Sequence, residues 1–244
     1  FDQDLTGKTH SDLDRWNKGG LDVQIFSVFS DGGVKNPYSI ANRQMDILDA
    51  VAARNSNKII KVANVKEILK AVKEKKIAAM FGVEGGHMIE DDLLKLEALY
   101  KRGARYLSLT HNTAPSWATS AEAETTNPNL LQKGLTDFGI QVVKKMNGLG
   151  MMIDISHSGD QTFWDVIKIT NKPIIASHSS VYTLVANHRN LKDDQIKAIA
   201  KNGGVIMVNF HPGFIDDSFD GKERAFLEKH ANEGDSLIKS GMDQ

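Results

Sequence analysis

Short apolar runs rich in β-branched residues recur along this chain, each followed by a polar tip and then a stretch of helical period. Leu21 to Phe29 is the first such run, and Tyr38 to Arg54 reads as the helix after it. Val65, Ile68, Leu69 and Val72 then fall at i, i+3, i+4 and i+7, with Asn64 as N-cap and Glu67 three residues on. Ile77 to Val83 is the next run, and a clear helix follows with Leu93, Leu96, Leu99 and Tyr100 on one face and Gly103 at its end. Arg105 to Leu109, Met151 to Ile155, Pro173 to Ala176 and Val205 to Val208 bring the expected strands to six. Helices around Phe138 to Met146, Gln161 to Thr170 and Asp193 to Lys201 lie between them. A charged helical stretch comes last, and Ser240 to Gln244 carry no strand pattern.

Alternation of this kind means parallel strands joined by crossover helices. A closed (β/α)8 barrel needs eight strands, so the expected fold is a TIM-like α/β barrel, one unit short at each end. It would form a single incomplete domain over residues 1–244. An open doubly wound sheet is the rival, but it calls for a Gly-rich phosphate turn after the first strand, and Asp31-Gly32-Gly33 does not match one.

Composition removes several function classes. Lys and Arg number 30 against 31 Asp and Glu, a net charge of -1. That balance argues against a nucleic-acid partner or a polybasic membrane contact, and no window approaches the ~20 apolar residues of a membrane helix. Cysteine is absent, so any metal must be held by histidine and carboxylate. Cytoplasm and periplasm both fit. Phe1 opens the chain without a Met or a signal pattern, and both ends read as cut.

In a barrel, chemistry sits at the C-terminal ends of the strands. Those positions hold Glu84, His111, His157, His178 and His211. One strand-end histidine alone is more often a loop residue than a ligand, and a lone Glu before Gly-Gly fits a helix N-terminus. Together they would converge at one mouth, and imidazole and carboxylate are zinc-ligand types. His157 and His178 follow consecutive strands in matching contexts, Ile-Ser-His-Ser and Ala-Ser-His-Ser. Strands lie about 4.8 Å apart, close enough for two such rings to share an ion. Asp154 could support a ligand from behind or bond a helix N-terminus. Arg189 could clamp a substrate carboxylate, although residue patterns alone favour a surface Arg pairing with Asp193 or Asp194. His188 reads as a solvated loop residue. His10, His87 and His230 carry no assigned chemistry, though His87 follows Glu84 closely enough to touch the mouth.

At this point several motifs, in order and spacing, closely resemble the renal (membrane) dipeptidase family of the amidohydrolase superfamily. They are Val83-Glu84-Gly85-Gly86-His87, Gly103-Ala104-Arg105-Tyr106-Leu107-Ser108-Leu109-Thr110-His111-Asn112 and Gly134-Leu135-Thr136-Asp137-Phe138-Gly139. Met146-Asn147-Gly148-Leu149-Gly150, Asp154-Ile155-Ser156-His157, Ser177-His178-Ser179 and Asn187-His188-Arg189-Asn190 follow, and the likeness runs from about Thr9 to about Phe210. The resemblance implies a metallo-dipeptidase of the membrane dipeptidase type. Glu84 resembles the carboxylate bridging two zinc ions, and His157 and His178 resemble the remaining protein ligands of one of them. His111 resembles the imidazole that stabilises the tetrahedral oxyanion. Arg189 resembles the residue that holds the substrate's terminal carboxylate, which overrides the surface reading. Members hydrolyse dipeptides, tolerate a D-residue at the C-terminal position, and some open β-lactams.

Two family features are expected to be missing. The first strand's His-x-Asp pair has a textual echo in His10-Ser11-Asp12, but no apolar run precedes it. The last strand's general-base Asp has one in Ser218-Phe219-Asp220-Gly221, again without a strand before it. The chain as given is therefore expected to hold at most one zinc and to turn over little. A non-catalytic metal- or peptide-binding barrel and an amidohydrolase acting on another amide are the alternatives. Oligomeric state stays open, a homodimer included.

Overall fold

Ile77 to Val83 are all buried, as a parallel strand covered on both faces should be, and the sheet is built outward from them. The computed structural model describes residues 1–231; Ser240 to Gln244 lie outside them. In chain order the elements are α1 (Leu13–Lys18), β1 (Val23–Phe29), α2 (Pro37–Arg54), β2 (Ile59–Lys61), α3 (Val65–Lys73), β3 (Ile77–Glu84), α4 (Leu93–Arg102) and β4 (Ala104–Ser108). Then follow α5 (Ala121–Thr126), α6 (Asp137–Leu149), β5 (Met152–Asp154), α7 (Asp160–Ile169), β6 (Ile175–Ser179), α8 (Asp193–Asn202), β7 (Val205–Val208) and α9 (Phe219–Lys229).

Local chemistry sets the helix ends. Asn64 Oδ1 accepts from the Glu67 backbone N–H at 3.0 Å and so caps α3 as its sequence suggests, while Glu67 Oε2 accepts from the N–H of Ala63, one residue before the cap, at 2.7 Å. Gly103 ends α4 at φ 116°, a left-handed stop that glycine adopts without strain.

All strand pairs are parallel, in the order β1-β3-β4-β5-β6-β7. β1 runs along one edge of β3 from Val23↔Ala78 to Phe29↔Glu84. The other edge is shared, with β2 beside Ile77 to Ala79 and β4 beside Phe81 to Glu84. The sheet thus has seven strands where six are expected. The extra one, β2, has three residues, too few for an alternating pattern to register.

One row of the register crosses the whole sheet: Phe29, Glu84, Ser108, Asp154, Ile175 and Val205. The opposite face carries Ile77, Ala79, Phe81, Val83, Leu107 and Ile153, which pack with the helices into the main core. On the row's own face, nearer the strands' N-terminal ends, Ala78 and Met80 are covered by Val62 and by Ala71 of α3. Apolar packing therefore closes that end, and the polar row is left at the C-terminal end.

β1 and β7 are the outermost strands and are not bonded to each other, so the sheet is an open arc of a barrel. Val205, Met207, Val208 and Phe210 along β7 are exposed. Among the described residues, no helix is long and apolar enough to cross a membrane.

Just beyond β3, the chain passes so close to its neighbours that a Cβ on Gly86 would lie 2.5 Å from the Leu109 carbonyl and 2.4 Å from the Trp117 ring. A backbone atom cannot give way as a side chain can. Gly86→Ala is expected to cost about 1–3 kcal/mol by overpacking, a fall in Tm of roughly 2–12 °C for a chain this long, read by thermal unfolding.

Candidate metal centre

Three side chains from three strand ends meet above the sheet. Glu84 closes β3, His157 lies in the turn after β5, and His178 is in β6. The two Nε2 atoms are 2.9 Å apart, and each is 3.3 Å from Glu84 Oε1. Ser27 of β1 donates to the other carboxylate oxygen at 2.7 Å.

The outer partners decide where the protons are. Asn112 Oδ1 can only accept, so His157 Nδ1, 2.8 Å away, carries the hydrogen and Nε2 a lone pair. Ser177 Oγ donates to Asp154 Oδ2 at 2.6 Å, so it accepts from His178 Nδ1 at 2.8 Å, which leaves that Nε2 with a lone pair too. Burial pushes the His157 imidazole down to about 4. Burial acts to raise the Glu84 carboxyl, while the hydrogen bond donated by Ser27 favours its ionised form. A carboxylate and two imidazole lone pairs thus point at one another, an arrangement that a cation satisfies. Ligands 2.0–2.1 Å from one zinc ion lie roughly 3–3.5 Å apart, close to the spacing found here, and the three groups could hold a metal ion.

Asp154 supports this cluster from beneath. Fully buried, its Oδ1 accepts from the backbone N–H groups of Ser156 at 3.0 Å and Ser177 at 2.9 Å, and its Oδ2 from the hydroxyls of Ser108 and Ser177. Of its two sequence readings, the structure gives the supporting one.

His111 follows β4 with its ring centroid 4.3 Å from that of His157 and 4.5 Å from Phe29. Burial lowers its pKa, leaving a neutral ring at pH 7. Arg189 is only 8 % exposed, although it belongs to a loop. Its guanidinium forms no ion pair or hydrogen bond with a described residue and lies 5.7 Å from the Phe214 ring. Burial lowers its pKa to about 10, against the pull of Asp154 and Glu84. The surface reading, with Asp193 or Asp194 as partner, is therefore corrected.

Other histidines go elsewhere. His211 is exposed, its Nδ1 accepting from the Gly213 N–H at 3.1 Å, so it does not join the cluster. His188 is half-buried, not solvated, with Nε2 3.3 Å from Glu122 Oε2. His87 Nε2 donates to the Ser30 carbonyl at 2.9 Å. Asp12 caps α1 through the Arg15 N–H, and His10 is exposed. Asp220 lies in the first turn of α9, twelve residues after β7 ends. Sequence reasoning assigned no role to Ser27, Asn112 or Ser177. A serine within an apolar run, and polar residues adjoining His111 and His178, were the available signals.

A parallel arc with carboxylate and imidazole at its strand ends is the architecture of a metal-dependent hydrolase barrel. The chain belongs to the membrane dipeptidase family (peptidase family M19), whose sequence profile matches residues 1–237. A curated protein of Schizosaccharomyces pombe described as an uncharacterized dipeptidase is 34% identical over 253 residues, covering 98% of this chain and 59% of its own length. The crystal structure of the probable dipeptidase PvdM from Pseudomonas aeruginosa is 26% identical with a TM-score of 0.73, covering 81% of this chain and 52% of that one. A metallo peptidase from Rhodobacter sphaeroides, crystallised with a phosphinate mimic of L-Ala-D-Ala, shares the fold at a TM-score of 0.77 and 20% identity, covering 85% of this chain and 67% of that one. The chain thus spans little more than half the length of the first two relatives.

A buried guanidinium without a counter-ion destabilises the fold that carries it. Arg189→Met is expected to stabilise the ligand-free protein by on the order of 1 kcal/mol or more, raising Tm by about 2–4 °C per kcal/mol. An unchanged or lower Tm in a thermal melt would count against an unpaired Arg189.

Proposed function

We propose that this chain carries the metal-binding half of a zinc-dependent dipeptidase site. The reading rests chiefly on the convergence of Glu84, His157 and His178 as three lone-pair donors. Glu84 would hold zinc as a carboxylate, and His157 and His178 would hold it through Nε2. Bound zinc supplies Lewis-acid polarisation and lowers the pKa of a bound water toward ~7.

The chain's own residues then divide the remaining work. Neutral His111 keeps one ring N–H to offer the carbonyl oxygen as negative charge develops there, an interaction worth ~3 kcal/mol in comparable sites. Arg189, buried and without a partner among the described residues, would offer its fork to the terminal carboxylate of a dipeptide. Such a clamp selects short peptides with a free C-terminus and is indifferent to the handedness of the last residue's side chain, which accommodates a C-terminal D-residue.

Among the described residues, Asp154 and Glu84 are both committed to hydrogen bonds or lone-pair convergence, and neither is free to act as a general base on water. The chain alone is accordingly proposed to bind one zinc ion and to hydrolyse dipeptides slowly if at all. Isothermal titration should give one Zn2+ per chain, abolished by Glu84→Ala. In a protein extending this chain to the length of its relatives, L-Ala-D-Ala hydrolysis should be lost with chelator, and Arg189→Met should raise KM at least tenfold. Turnover that survives complete removal of metal would sink the dipeptidase reading; zinc binding without hydrolysis there would favour a non-catalytic barrel.

A further inference from the structure

The two imidazoles of the cluster are held from behind in different ways. His178 leans on Ser177 and, through it, on the Asp154 carboxylate. His157 leans on a neutral amide, Asn112 Oδ1. His157 also has φ 67°, a left-handed backbone that histidine seldom adopts.

That unusual turn is held by the segment carrying Asn112. The His157 carbonyl accepts from the Ala121 N–H at 2.8 Å, and Ser120 forms an antiparallel bridge with Ser158. Ser120 Oγ in turn donates to the Asn112 carbonyl at 2.7 Å. Residues 112–121 therefore grip the His157 turn by its backbone and its ring at once. None of these bonds involves Asp154 or Ser177.

We propose that Asn112 is a positioning residue for the metal site, fixing His157 with Nδ1–H outward and the Nε2 lone pair inward. The loop between β4 and α5 thereby controls metal affinity separately from the Asp154–Ser177 relay. An amide oxygen draws less on the Nδ1 proton than a carboxylate does, so a carboxylate at 112 would make His157 a stronger donor than it is with Asn112 behind it. The inference depends on the metal-binding reading above.

Asn112 is exposed, so small substitutions there leave the core packing intact. Zn2+ titration of the wild-type chain, Asn112→Ala and Asn112→Asp separates the possibilities. Asn112→Ala should bind about 10–100-fold more weakly, and Asn112→Asp at least as tightly as wild type. Combining Asn112→Ala with Ser177→Ala should multiply the two losses, since independent supports add in free energy. Long-range 1H–15N spectra of the metal-free histidines should place His157 in its Nδ1–H form in wild type and Asn112→Asp. In Asn112→Ala an Nε2–H population should appear. If wild type binds no zinc, the metal-binding reading itself fails. If wild type binds and Asn112→Ala binds equally well, or Asn112→Asp falls as far as Asn112→Ala, the role given to Asn112 is overturned.

Discussion

The carboxylate of Asp154 accepts four hydrogen bonds without access to water, and the geometry of the site follows from that. A buried carboxylate is strongly unfavourable unless its lone pairs are occupied. Here the donors come from β4, from the turn after β5, and from the backbone and side chain of β6. Satisfying one anion therefore fixes three neighbouring strand ends relative to each other. It also commits the Ser177 hydroxyl, which leaves Ser177 able only to accept from His178. The direction of the His178 Nε2 lone pair is thus set two residues away from the cluster.

The cluster and its surroundings are arranged for what they would bind, at some cost to the unliganded fold. His157 occupies a left-handed backbone, a carboxylate faces two imidazole lone pairs, and Arg189 is buried without a counter-ion among the described residues. Each feature opposes stability in isolation; the surrounding hydrogen bonds hold the first, and a charged ligand of the right sign would relieve the other two. The buried apolar packing of β3 against α2, α4 and α6 provides the rigid support against which such features persist.

Much of this was legible in the sequence, for identifiable reasons. Buried parallel strands read as continuous apolar runs, so β3 and β4 stand out, while the three residues of β2 are too few to show a period. Glu84, His111, His157 and His178 could be singled out because strand ends in a barrel share one mouth. His211 follows a strand equally well, yet the turn at Pro212–Phe214 directs its ring against Phe214 and Phe219. Whether a loop residue is buried depends on contacts distant in sequence, which is why Arg189 read as a surface residue on local grounds. The holding roles of Asn112 and Ser177 lie in hydrogen-bond direction, a property that residue type alone leaves undetermined.

The outer edge of β7 has a consequence for how the protein behaves in concentrated solution. From Gly203 to Phe210 there is no charged residue and no proline. Among the described residues, the strand's peptide groups on that side have no neighbour in the sheet, and several of its apolar side chains are exposed. Natural sheets usually blunt such edges with lysine, proline or a bulge, because a bare edge templates the addition of strands from other molecules. On its own this arc carries a self-association hazard at one margin, and colloidal stability becomes a property of whatever polypeptide covers β7.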